Sequence, residues 1–241
     1  MNNPNPYAWQ QTGTQAQTRG ALFDQGLRQH MLRVYNYMGL GLVITGLVAA
    51  VVAATPALYV PLFTSPLKWV VMLAPLAFVF FFSFKIQTMS GPMAQTMFWV
   101  FCGVMGLSMA AIFLVFTGTS IARTFFIAAG MFGATSLYGY TTKQDLSKFG
   151  SFLIMGLIGV VIASVVNIFV ASTMLQFIVS VVGVLVFVGL TAYDTQAIKE
   201  QYASHYDDES KQKLAVFGAL SLYLNFINMF QLLLSLTGER E

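Results

Sequence analysis

One aspartate lies inside a long apolar run. In VLVFVGLTAYDTQAIKE, which begins at Val184, Asp194 is surrounded by residues suited to hydrocarbon, while the other eight of the nine acidic residues fall in tails or between apolar runs. A carboxylate at the centre of a membrane span costs about 2.5 to 3.5 kcal/mol, so it calls for a partner or a task. A partner face exists further along. Ser221, Asn225 and Asn228 recur at i, i+4 and i+7, which puts them on one side of a helix, and Gly218 begins the same stripe. Thr191 stands three residues before Asp194 and shares its face. Amides in hydrocarbon need hydrogen-bond partners, so the stripe is expected to face the protein interior or a hydrated cavity. Asparagines alone are explained by helix-to-helix hydrogen bonds of about 0.6 kcal/mol each; opposite a buried carboxylate they form a group that could hold a proton or a hard cation through oxygen.

Other chemistries lack their residues. Cys102 is the single cysteine, and His30 and His205 stand in polar segments, so no soft-metal set is spelled out. The seventh run has no lysine in mid-span for a Schiff base, no run sets a nucleophile beside a base, and no enzyme is expected. A proton-coupled transporter needs only one buried acid, but the paired Gly/Pro interruptions of broken helices are not evident.

The elements that must position Asp194 are membrane helices. With 57% apolar and 9% charged residues, the composition is that of a polytopic membrane protein, and its main contact is the lipid bilayer. Residues 1–20 are polar without periodicity and read as a disordered tail rather than a signal peptide. Residues 21–33 space Leu22, Leu27 and Met31 among Arg28, His30 and Arg33, as in an amphipathic helix at the headgroups. The seven-span domain occupies 34–241, with runs near 34–54, 68–84, 94–116, 121–140, 149–170, 174–198 and 213–236, each close to the roughly 20 residues a span needs. The fold class is therefore an all-α membrane protein, a seven-transmembrane-helix bundle. Of twelve basic residues, nine lie on the side of the amino terminus and three (Lys68, Arg123, Arg240) on the other. The positive-inside rule places the amino terminus in the cytoplasm and the carboxyl terminus outside. The net charge of +3 thus reflects topology, and no nucleic acid partner is expected. Small residues mark close packing: Ala129, Gly130, Gly133, Ala134, Ser136 and Gly139 in the fourth run, Gly103 and Gly106 in the third, Gly156 and Gly159 in the fifth.

Three segments carry a resemblance that spans all seven runs. LTAYDTQAIK from Leu190, SLYLNFINMFQLLL from Ser221 and GATSLYGYTTKQDLSKFGSFLIMGLIG from Gly133 resemble the transmembrane Bax inhibitor motif family, in particular its bacterial members. The resemblance implies a bundle whose last helix is central, in the inner (plasma) membrane. It also implies a pH-sensitive leak for calcium or another cation, controlled by two aspartates on the sixth and seventh spans. Asp194 matches the first. The second, in the family's LYLDFIN, is Asn225 here. Two adjacent carboxylates share a proton and titrate as one unit, whereas an amide can only donate to its neighbour. The departure reads either as a weaker pH response or as a change that traps one state. In the family a basic residue near the cytoplasmic end of the second span is linked to the pair; Lys85 is nearest to that place, and a snorkelling anchor explains it equally well. Asp194 is the one candidate for a weak calcium contact, with no resident cofactor implied. Some family members suggest a rival reading, a regulator of cell-death factors or of a membrane protease that works through a membrane protein partner.

Overall fold

Backbone N–H and C=O groups in hydrocarbon have no water to bond, so an apolar chain of this length satisfies them inside helices. The computed structural model describes residues 8–240, with side chains from Phe23 onward except Gln87. Its helices are α1 (Ala8–Ala54), α2 (Pro56–Thr64), α3 (Leu67–Lys85), α4 (Gly91–Val115), α5 (Gly118–Thr141), α6 (Ser147–Val170), α7 (Thr173–Glu200) and α8 (Asp208–Thr237), with a 3₁₀ turn, Ile86–Thr88, after α3. All but α2 are long and apolar enough to cross a membrane. The chain is an all-α, multi-pass membrane bundle.

Local sequence explains the helix ends. Thr117 and Ser172 cap α5 and α7 by accepting from the backbone N–H groups of Ser120 and Leu175, at 3.3 and 3.2 Å. Asp208 and Glu209 occupy the first turn of α8, where acidic side chains favour the positive end of the helix dipole. Pro56 opens α2 at a position whose N–H has no helical partner in any case, so the link between the first two spans, which carries Pro56, Pro61 and Pro66, is helical over Pro56–Thr64.

The amino-terminal stretch differs most from the sequence reading. Residues 1–7 lie outside the described residues, and from Ala8 the helix runs unbroken to Ala54, through stretches expected to be a disordered tail and a separate interfacial helix. Gln, Ala and Arg propagate a helix readily once the apolar turns behind them have formed. Nor does the segment over 21–33 end at Arg33. Leu27, His30, Met31 and Val34 are buried as one continuous face, and His30 packs its ring 5.4 Å from that of Tyr202, just beyond α7. His30, read as part of a polar interfacial segment, is buried.

α8 is the central element. Of its most apolar eighteen residues 61% are buried, against 6% for α6. It packs directly on α1, α4, α5 and α7, while α3 packs on α4 and α6 on α7 as outer helices. Tyr223 anchors the centre: its hydroxyl meets Thr45 Oγ1 at 2.6 Å, Thr45 donates to the Cys102 carbonyl at 2.9 Å, and the rings of Phe98 and Phe101 meet it edge-on. One tyrosine thereby ties α8 to α1 and α4.

Candidate functional site

The two polar faces meet. Asn225 Nδ2 donates to Asp194 Oδ2 at 2.7 Å, joining α8 to the carboxyl-terminal third of α7. Asn225 is buried and Asp194 half-buried. The seven-residue connection from Gln201 to Asp207 lets α7 and α8 run antiparallel as packed neighbours, and the i, i+4, i+7 spacing then turns the stripe of α8 toward Asp194.

Asp194 opens onto a cavity of about 760 Å³ bounded by α3, α4, α6, α7 and α8. Ser221, Asn225, Asn228 and Gln231 supply its polar wall along α8, and Asp194 is the only acidic residue in the lining. Asn228 directs its Nδ2 back to the Leu224 carbonyl at 2.8 Å, which leaves its side-chain oxygen as an acceptor. A second cavity, of about 650 Å³, lies at the end of the bundle that carries most of the basic residues. Ser83, Gln201, Ser210 and Lys213 line it. Phe217 borders this second cavity and Ser221 the first, so one turn of α8, about 6 Å, separates the two.

Two expected members of the site stand elsewhere. Thr191 is fully buried, donates to the Phe187 carbonyl at 2.7 Å and does not line the cavity. At 100° per residue, three positions leave Thr191 some 60° from Asp194, enough to turn its short hydroxyl into the helix packing. Lys85 is exposed at the end of α3 and makes no ion pair with Asp194. A long side chain in the last turn gains more by reaching water than by entering the bundle. The two ion pairs among the described residues are Arg123 with Glu239 and Lys213 with Glu209, each 3.0 Å, so no described cation balances Asp194.

Three further polar groups frame the site. Gln196, two residues after Asp194 and so on the opposite side of α7, accepts from the Leu146 N–H and donates to the Gln144 carbonyl, both at 2.8 Å, and clamps the α5–α6 loop onto α7. Lys199 Nζ adds a bond to the Tyr140 carbonyl at 2.9 Å. A chain of hydroxyls runs from Tyr35 through Ser136 to Thr195, with steps of 2.6 and 3.0 Å, linking α1, α5 and α7 behind the aspartate. Gln231 was legible in principle, three residues beyond Asn228 on the same stripe. The clamp was not, because its partners are backbone atoms of a distant loop.

Outside the spans, Asp145 and Asp207 shape the turns that lead into α6 and α8. Hydrogen bonds from Ser147 hold the Asp145 carboxyl below the usual carboxylate range, and bonds from Ser210 do the same for Asp207. Among the described residues no three His, Cys, Asp or Glu side chains gather as a metal-binding group. Any cation at Asp194 would therefore be held by one carboxylate together with neutral oxygens.

Known proteins place this geometry in context. Residues 27–241 match the family model described as Inhibitor of apoptosis-promoting Bax1. An uncharacterized protein of Rickettsia prowazekii is 46% identical over 224 residues, covering 93% of this chain and 95% of its own length. The inner membrane protein YbhL of Escherichia coli K12 is 46% identical over 220 residues, 90% of this chain and 94% of that protein. A protein of Deinococcus radiodurans shares 36% over 226 residues, 94% and 96% of the two chains.

Proposed function

This chain belongs to the Bax1-I family of membrane proteins, and we propose that it is a cation leak of the inner membrane, calcium being the preferred candidate, controlled where Asp194 meets Asn225. The observation that carries this reading is the polar wall of α8. Ser221, Asn225, Asn228 and Gln231 face one cavity in a helix that the rest of the bundle encloses, and the one carboxylate there is engaged by an amide at 2.7 Å. A hard cation is bound by carboxylate, amide and hydroxyl oxygens, the types this wall presents. Because a single turn of α8 divides this cavity from the one beside Lys213, a small displacement of α8 against α3 would join the two. The Asp194–Asn225 bond holds α7 and α8 in the separated arrangement. With the amide in the family's second carboxylate position, that bond persists without a shared proton, and the pH response is weak.

Orientation follows the nine-to-three division of basic residues, with the amino terminus in the cytoplasm. The test is calcium entry into liposomes containing the purified chain, beside Asp194→Ala and empty vesicles. The leak reading predicts entry above empty vesicles for the starting chain and a changed rate, by about tenfold for a lost charge–amide interaction of roughly 1.5 kcal/mol, in the variant. Entry equal to empty vesicles in both rejects it. The family description names inhibition of Bax1, which supports a second reading, a regulator acting through a membrane protein partner. In that case Asp194 fixes packing alone and flux is absent.

A further inference from the structure

The cavity at Asp194 has a mouth toward the bilayer. Leu76 on α3 and Val161, Val165 and Ile168 on α6 line it and are exposed on the surface of the bundle. These two helices stand on either side of the opening, each packed on a different neighbour, α4 for α3 and α7 for α6. The α8 wall of the cavity carries Ser221, Asn225, Asn228 and Gln231, and the lining holds one carboxylate, Asp194, for which no described cation lies within ion-pair distance. A ligand entering from hydrocarbon meets an apolar vestibule first and a negative group at the end.

From this combination we propose that the cavity is a binding site for a lipophilic amine. Its ammonium pairs with Asp194 and its hydrocarbon body fills the space between α3 and α6. Several observations select this class over a plain hydrocarbon or a lipid tail. Asn225 donates to only one carboxylate oxygen, Oδ2, and among the described residues none donates to Oδ1. An ammonium brings up to three N–H donors and the missing positive charge. The Asn228 side-chain oxygen, left free by the bond from its Nδ2 to Leu224, lies on the same wall one turn beyond Asn225 and is an acceptor for a further N–H. A hydrocarbon occupant would cover these acceptors without pairing them, at a cost that an ammonium avoids. The volume of about 760 Å³ accommodates a compact cage or ring amine and is within the range of small-molecule sites. The inference shares Asp194 with the leak reading but requires no flux.

The test uses the full chain in phosphatidylcholine nanodiscs, with tritiated 1-aminoadamantane as probe, empty nanodiscs as background and 1-adamantanol as the uncharged competitor of the same shape. Saturable binding is expected, displaced by unlabelled amine and not by the alcohol at equal concentration. Asp194→Asn should weaken it by about tenfold or more, the scale of losing one charged partner. Val165→Trp, which fills the vestibule and keeps the carboxylate, should abolish it; this variant carries the test if Asp194→Asn does not assemble. Displacement by the alcohol as effective as by the amine, or binding unchanged in both variants, overturns the proposal. Calcium flux in the absence of amine, measured on the same preparation, separates the two claims. Flux without amine binding sinks this inference alone, and amine binding without flux sinks the leak alone.

Discussion

At the scale of single residues, polar side chains in an apolar sequence are informative because each must be accounted for. Asp194 and Asn225 could be paired from spacing, since helical periodicity fixes the face on which a residue lies and a short connection makes two helices neighbours. Lys85 could not be placed the same way. Its position in the chain says that it lies at the end of α3, but the direction of a four-carbon side chain there is decided by access to water. Thr191 shows a second limit, because a hydroxyl can satisfy itself on its own helix and leave no trace in the pattern. Gln196 yields a prediction at this scale. Gln196→Ala strands the buried Leu146 N–H and frees the Gln144 carbonyl, at a cost of about 1–3 kcal/mol. Thermal unfolding in detergent should shift downward, and trypsin should cut sooner at Lys143 in the released loop. Unaltered cleavage would mean that the loop is held by other contacts.

At the scale of elements, the seven spans were readable from apolar run length and agree with the helices within a few residues, apart from the ends of α1 and α8, where the helix outlasts the apolar run. What run length misses is the behaviour of polar segments attached to a helix: α1 propagates through residues with no apolar period, and α2 forms between prolines. Small residues mark helix contacts but not which of them touch. Of the glycines in α5, Gly130 and Gly133 have open space where a Cβ would stand, whereas Gly139 lies against the Ala192 carbonyl of α7. The contact sits two residues from Asp194 and sets how closely α5 approaches that helix. Gly139→Val is therefore expected to cost about 1–3 kcal/mol through overpacking against rigid backbone, while Gly130→Ala should be neutral or slightly stabilising for a helix interior. Comparing the unfolding temperatures of the two variants checks this, and equal losses would contradict the assigned contact.

At the scale of the whole molecule, a central α8 wrapped by α1, α4, α5 and α7 leaves α3 and α6 as an outer pair that bounds one large cavity. That one face of α8 looks inward was legible from its polar stripe, because such a face cannot look at lipid, and its central place was implied by the family resemblance; the cavity was not legible, because its lining is drawn from five helices far apart in the chain. At its other end α8 is strapped in place. The Thr117 N–H donates to the Glu239 carbonyl, and the Glu239 N–H donates to Ser120 Oγ, each at 3.0 Å, fixing the carboxyl terminus to the α4–α5 turn. With that end held, movement of α8 would concentrate near Asp194. Topology follows the basic residues: a tag on the amino terminus should resist membrane-impermeant reagents in intact cells, and one on the carboxyl terminus should react. Two tags with the same reactivity would refute the seven-span arrangement.

Control of cation passage by the proposed Asp194–Asn225 contact is tested by calcium flux as a function of pH in Asn225→Asp. Two carboxylates at the 2.7 Å separation now held by carboxylate and amide cannot both be charged at low cost, so the pair would take up or release a proton as pH changes, while the starting pair has one fewer group to titrate. Liposome flux is expected to vary steeply with pH, from mildly acidic to mildly basic, in Asn225→Asp and only shallowly in the starting chain. Superimposable profiles would contradict it and return Asp194 to the role of a packing residue.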